Sequence, residues 1–217
     1  MILPAEPRSI AVRAFATPTP RDAAAAARTP RQRSPADVIG PSAWSLTFDT
    51  ETTIDAAQQL RFGTYQVRRD DELYEQGLFY DPDTLTDDER STLYRFASAR
   101  GLMVHAGAAF IEEVFFRVLF DLRGTCIGFN LPFDLARLAI AHAPARGRTM
   151  HGGFSFQLSP DKRRPRIQVK HLTGRAALIQ FTVPGEQQTP RGMRHRKLRV
   201  QPWRGTFVDV RTLAGAL

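Results

Sequence analysis

The chain has a single cysteine, Cys126, in 217 residues, so it can form no intrachain disulfide and no multi-cysteine metal site. A small apolar residue on a buried strand is the expected use of that thiol. The five histidines show no close zinc-ligand spacing. The chain also lacks a phosphate-cradling glycine loop leading into Lys and Ser/Thr, and a G-x-S-x-G turn that would present a serine nucleophile. No apolar run approaches the ~20 residues of a membrane span. The N-terminus lacks the basic-then-apolar layout of a secretory signal, so no membrane partner and a cytoplasmic location are expected.

Charge is present in quantity and unevenly placed. Thirty Lys and Arg against 22 Asp and Glu give a net charge of +8 and a pI near 10.5, a balance suited to a polyanionic partner such as nucleic acid. Residues 1–42 hold six Arg and three acids among Pro, Ala and Thr, with no hydrophobic period, and are expected to be a disordered tail. Residues 43–143 carry nine basic and sixteen acidic side chains, whereas residues 144–217 carry fifteen and three. An acidic body is therefore followed by a strongly basic arm.

Hydrophobic alternation predicts strands at Trp44–Asp49, Leu60–Val67 and Leu73–Tyr80, forming a meander. The capping box "TDDE", with Thr86 and Glu89 three apart, starts a helix that Gly101 stops. Residues 108–120 form a strongly apolar helix, Thr125–Phe129 a buried strand, and Leu131–His142 a helix. Further strands are expected at "FSFQL", "RIQVKHL", "AALIQFTV" and "TFVDV", with a last helix from Arg211. The fold class is α/β, a mixed sheet with flanking helices.

Two constellations carry chemistry. In Asp49-Thr50-Glu51 the two acids lie two apart on a strand and so share a face, where their repulsion is relieved by a divalent cation. Alone, the triplet is also what a solvated strand end looks like. In "GFNLPFDLARLAIAH" a strand ends at Asn130, a good helix cap, with Pro132 in the tolerant first turn. Asp134 follows four residues later, where an acid also favours the helix dipole. Both signals sit at C-terminal strand ends, where open α/β sheets place ligands. Asp49 and Glu51 do not suit a glycosidase, whose acids flank the substrate from two sides.

"FDTETT" resembles the first exonuclease motif of the DEDD superfamily, which includes proofreading domains of family B DNA polymerases, and "NLPFD" resembles the second. "FVDVRTLAGAL" is similar to the strand and helix that follow. The resemblance runs from about Trp44 to Leu217 and implies a ribonuclease-H-like fold and two-metal 3′–5′ exonuclease chemistry on the ends of single-stranded DNA. It implies Asp49, Glu51 and Asp134 as ligands of Mg²⁺ or Mn²⁺, Asn130 as a contact to the terminal nucleotide, and Phe133 as packing beneath the site.

The resembled family also has a fourth acid on a later helix, four residues after Tyr or His. After Asp134 only Asp161, Glu186 and Asp209 remain, none in that context, so the chain is expected to be an incomplete form of a longer protein, inactive as it stands. Residues 144–204 read as a basic, β-rich hairpin insertion. Arg163, Arg164 and Arg166 are its candidate phosphate contacts, alongside Lys162, Lys170 and Arg175 and the later group Arg194, Arg196, Lys197 and Arg199. A merely solubilising surface is the other reading of that charge. Competing functions are a non-catalytic nucleic-acid-binding module of the same fold and the proofreading half of a family-B-type polymerase.

Overall fold

A computed structural model describes residues 42–182 and 205–214. The chain divides into two units, Met1–Pro41 and Ser42–Leu217, and all described residues belong to the second. The expected N-terminal tail, apart from Ser42, lies outside the described residues, as do Glu186 and the basic group from Arg194 to Arg199.

Three alternating segments form an antiparallel meander: β1 (Trp44–Thr52), β2 (Leu60–Arg69) and β3 (Glu72–Tyr80). The capping box then forms as expected: Thr86 accepts from the Glu89 N–H, and Glu89 accepts from the Thr86 N–H, at the start of α1 (Asp87–Ser98). A short strand that alternation did not reveal, β4 (Met103–Ala106), adds in parallel to β3. The chain continues through one turn, α2 (Gly107–Ala109), into the long helix α3 (Phe110–Asp121). This helix was expected to be α-helical and is instead π-wound; its closing bond runs from the Leu122 N–H to the Arg117 carbonyl, five residues back. Next come β5 (Thr125–Gly128), α4 (Leu131–Arg137), β6 (Ala141–Pro144), β7 (Phe154–Gln157), β8 (Ile167–His171) and β9 (Ala177–Phe181). The described chain closes with β10 (Thr206–Asp209) and α5 (Val210–Ala214).

The strands make two sheets. The six-stranded sheet has the order β10-β5-β1-β2-β3-β4, with β5 parallel to both β1 and β10. The expected hairpin insertion is larger than a hairpin: β6-β7-β8-β9 form a four-stranded antiparallel sheet. That sheet also shortens the expected helix over Leu131–His142. The helix ends at Arg137 because Ala141–Pro144 is taken up as a ladder partner of β7, with His142 opposite Phe156.

The apolar richness of α3 follows from its place between the two sheets. Phe110 stacks on Phe79 at 4.0 Å and packs near Phe48 and Tyr65, all on one face of the six-stranded sheet. Phe116 and Phe120 instead meet Phe181 of β9, which also touches Phe207 of β10. Both sets join one continuous buried cluster that includes Cys126. Burial raises the Cys126 thiol well above its ordinary range, so it packs as an inert small residue. Among the described residues no helix is long and apolar enough to cross a membrane.

The Phe110–Phe79 stack requires a glycine. A Cβ on Gly63, in the centre of β2, would overlap the Phe79 ring and the Asp49 carbonyl oxygen. Gly63→Ala is therefore expected to destabilise the fold by about 2 kcal/mol or more, the cost of overpacking a tight core. Urea unfolding of the variant checks this; an unchanged midpoint contradicts the packing described.

Candidate metal centre at the end of β1

Alternation along β1 buries Leu46, Phe48 and Thr50 against α3 and leaves Thr47, Asp49 and Glu51 on the open face. Asp49 and Glu51 thus project side by side. Among the described residues neither carboxylate has a hydrogen-bond donor or a cation as partner. Two neighbouring carboxylates exposed on one face can share a cation between them.

Asp134 arrives from the other side. β5 pairs with β1 only from Ser45 to Thr47, after which the chain turns through Asn130 in the left-handed region (φ 63°, ψ 40°) and starts α4. With no further backbone acceptor alongside, the Thr50 N–H donates to Asp134 Oδ1 at 3.2 Å, and the Thr50 hydroxyl donates to the same oxygen at 2.6 Å. The carboxyl group is 3% exposed. Burial pushes its pKa up to about 6, the negative charge of Asp49 adds to the rise, and the Thr50 bonds oppose it. Asp134, on α4, is thereby electrostatically coupled to Asp49 on β1.

The left-handed turn is held from the far edge. Asp209, at the end of β10, accepts the Asn130 N–H at 2.7 Å and the Arg211 N–H at 3.3 Å through Oδ1, and the Thr212 hydroxyl at 2.9 Å through Oδ2. Arg211 donates to Asn130 Oδ1 at 2.8 Å. Asn130 occupies the cap position, but its side chain does not cap; that oxygen answers Arg211 instead. Arg137, one turn after Asp134 on α4, stacks over Phe133 and donates to the carbonyls of Ala57 and Gln58, fixing the loop that follows Glu51. The roles of Thr50, Arg137 and Arg211 were not read from the sequence, because each depends on a partner about 80 residues away.

The donor set suits a hard cation, since all three side chains offer carboxylate oxygens. Asp49 and Glu51 are both available, and Asp134 keeps Oδ2 beside its Thr50-bound oxygen. Even so, among the described residues no three His, Cys, Asp or Glu side chains already stand at coordinating positions around one point. Asp49 and Glu51 therefore fit an ion as a pair, and Asp134 bears on it from beneath. Of the two other described acids after Asp134, Asp161 is bound by Arg163 and Asp209 by its three donors.

The three candidate phosphate-binding arginines part company. Arg163 is outward-facing, bridging to Asp161 at 2.8 Å. Arg164 is largely buried between Glu112 and Asp121 of α3, at 3.0 Å from each, and Arg166 is engaged by Ser155 and Gln157. Arg164 thus ties the second sheet to α3, and Arg166 ties β8 to β7 within it. No protein-family model matches this chain, and no curated protein matches it either.

Two outcomes follow from these contacts. Arg164→Met should cost about 1–2 kcal/mol of stability, because Glu112 and Asp121 lose a charged donor. Urea unfolding checks this; an unchanged midpoint contradicts the contacts described. Asp134 should titrate near pH 6 by carboxyl-detected NMR, and Asp49→Asn should lower that midpoint. Because folding raises this pKa above the ordinary Asp value of 3.8, the folded state binds the proton more tightly. The resulting stabilisation is present at low pH and is lost as pH rises from about 4 through about 6. A midpoint in the ordinary Asp range would contradict the burial described.

Proposed function

We propose that the chain is a ribonuclease-H-like 3′–5′ exonuclease domain that holds Mg²⁺ or Mn²⁺ at Asp49 and Glu51 and binds single-stranded nucleic-acid ends. The observation that carries this is the uncompensated Asp49–Glu51 pair with Asp134 buried beside it. A meander extended by two strands parallel to β1, with Asp49 and Glu51 in the C-terminal half of β1 and Asp134 in the first turn of the helix after β5, supports the same reading.

A bound divalent ion supplies Lewis-acid activation of water and neutralises charge on the scissile phosphate. The chain's own residues do the rest. Asp49 and Glu51 hold the ion on the open face of β1. Thr50 orients Asp134 through two hydrogen bonds, and Arg137 and Arg211 fix the loops on either side. Asp134 must lose its proton to add negative charge to the site, so ion affinity rises as pH passes about 6.

A second reading is a non-catalytic module of the same fold. It is favoured by the absence of three converged ligands among the described residues and by the other engagements of Asp161 and Asp209. A single experiment addresses both. Linear and circular single-stranded DNA are titrated onto the chain with and without Mn²⁺, and mononucleotide release is followed. The proposal expects Mn²⁺-dependent preference for the linear strand, lost in Asp49→Ala. Hydrolysis by this chain should be at least about a thousandfold below that of complete two-metal sites, as when one member of a catalytic unit is missing. No Mn²⁺-dependent preference for free ends would sink the exonuclease reading, and preference without any release would favour the module.

A further inference from the structure

The face of the six-stranded sheet that carries Asp49 also carries a groove. Direct cross-strand partners share a face, and the register runs Asp49↔Thr64↔Leu78 in one row and Glu51↔Phe62↔Tyr80 in the next. α1 lies over the β3 end of these rows, where Tyr94 meets Tyr80. Between helix and sheet is a cavity of about 570 Å³, walled by Phe62, Thr64, Leu78, Leu93 and Phe96 with Asp88 at its rim. Its volume falls in the range of small-ligand sites, roughly 300–1,000 Å³.

We propose that this groove binds a nucleobase, that of the nucleotide whose phosphate lies at Asp49 and Glu51. The identity of the ligand rests on the function proposed above; the groove itself does not. Its distance from Asp49 and its aromatic walls point to a base. Strands in a sheet are about 4.8 Å apart, so Thr64 lies one strand and Leu78 two strands from Asp49, within the reach of a base from its own phosphate. The walls include two aromatic rings, Phe62 and Phe96; the Arg100 guanidinium stacks on Phe96 at 3.8 Å, and with Phe96 still 46% exposed the ring and its cation form a stacking surface for a base.

The charge of the lining residues disfavours a phosphate backbone lying in the groove. Arg61, the cation that lines it, is already paired with Glu89, and Asp88 adds an unpaired negative charge. Asp88 and the Thr64 hydroxyl have no side-chain partner among the described residues, which leaves acceptors for an exocyclic amino group. Adenine, cytosine and guanine carry that group and thymine does not, so the groove should prefer amino-bearing bases.

The test uses the full chain and two probes, 2′-deoxyadenosine and its 5′-monophosphate, followed by NMR shift changes. Deoxyadenosine, without metal, should perturb Phe62, Leu78, Leu93 and Phe96 selectively. Phe96→Ala and, separately, Leu93→Glu should weaken it by about tenfold, the scale of one lost stacking contact. Circular dichroism confirms that each variant is folded. Thymidine should bind more weakly than deoxyadenosine, and Asp88→Asn should narrow that difference. Mn²⁺ should tighten binding of the monophosphate alone, and Asp49→Ala should remove that gain without changing the nucleoside isotherm. Deoxyadenosine that leaves the groove resonances unmoved overturns this proposal, even if Mn²⁺ binds at Asp49. Groove binding with no Mn²⁺ effect upholds the groove as a base site and counts against the metal reading instead.

Discussion

The candidate site depends on one substitution of partners: a side-chain carboxylate takes the place of a strand. β5 leaves β1 after Thr47, and the backbone of Thr50 would otherwise lose its acceptor in a buried position. Asp134 fills that vacancy from the first turn of α4. The same bonds that satisfy Thr50 hold a carboxyl group in a desolvated position next to Asp49. A structural need of the sheet and a chemically poised acid are therefore met by one residue. Removing Asp134 disturbs both at once, so loss of activity alone cannot assign its role.

The surrounding architecture serves to hold that arrangement. α3 is buried on two sides because two sheets close on it, and its aromatic side chains make a single core from them. β10 lies at the edge of the six-stranded sheet, yet its terminal Asp209 reaches back to the Asn130 turn, so the edge determines the start of α4. Arg211 extends that link to the Gly174 carbonyl in the second sheet, and the Thr212 hydroxyl accepts the Ala177 N–H. The second sheet thus buttresses the site from behind, while Thr47, Asp49 and Glu51 on the open face of β1 stay exposed.

Much of the framework was legible in the sequence, for local reasons. β1, β2 and β3 alternate, the helix start at Thr86 carries both halves of a capping box, and the strand-to-helix step at Asn130 is announced by Pro132. What escaped notice is non-local. β4 and β6 are four residues each and exist only because β3 and β7 offer them a ladder. The basic run at Arg163–Arg166 looked like a phosphate surface because the acids that pair with Arg164 lie 52 and 43 residues earlier, on α3. The acid pair itself was visible from spacing two on a strand. Its freedom from partners and its continuity with the groove beneath α1 needed the register of three strands.

The central claim is that the Asp49–Glu51 pair exists to hold a divalent cation. The most direct measurement is anomalous diffraction from crystals of the full chain grown with millimolar Mn²⁺. The account predicts a peak about 2–2.2 Å from carboxylate oxygens of both Asp49 and Glu51, on the open face of β1, that is absent in Asp49→Ala. Crystals saturated with Mn²⁺ that show no peak between these two side chains, or show one only elsewhere, would contradict it.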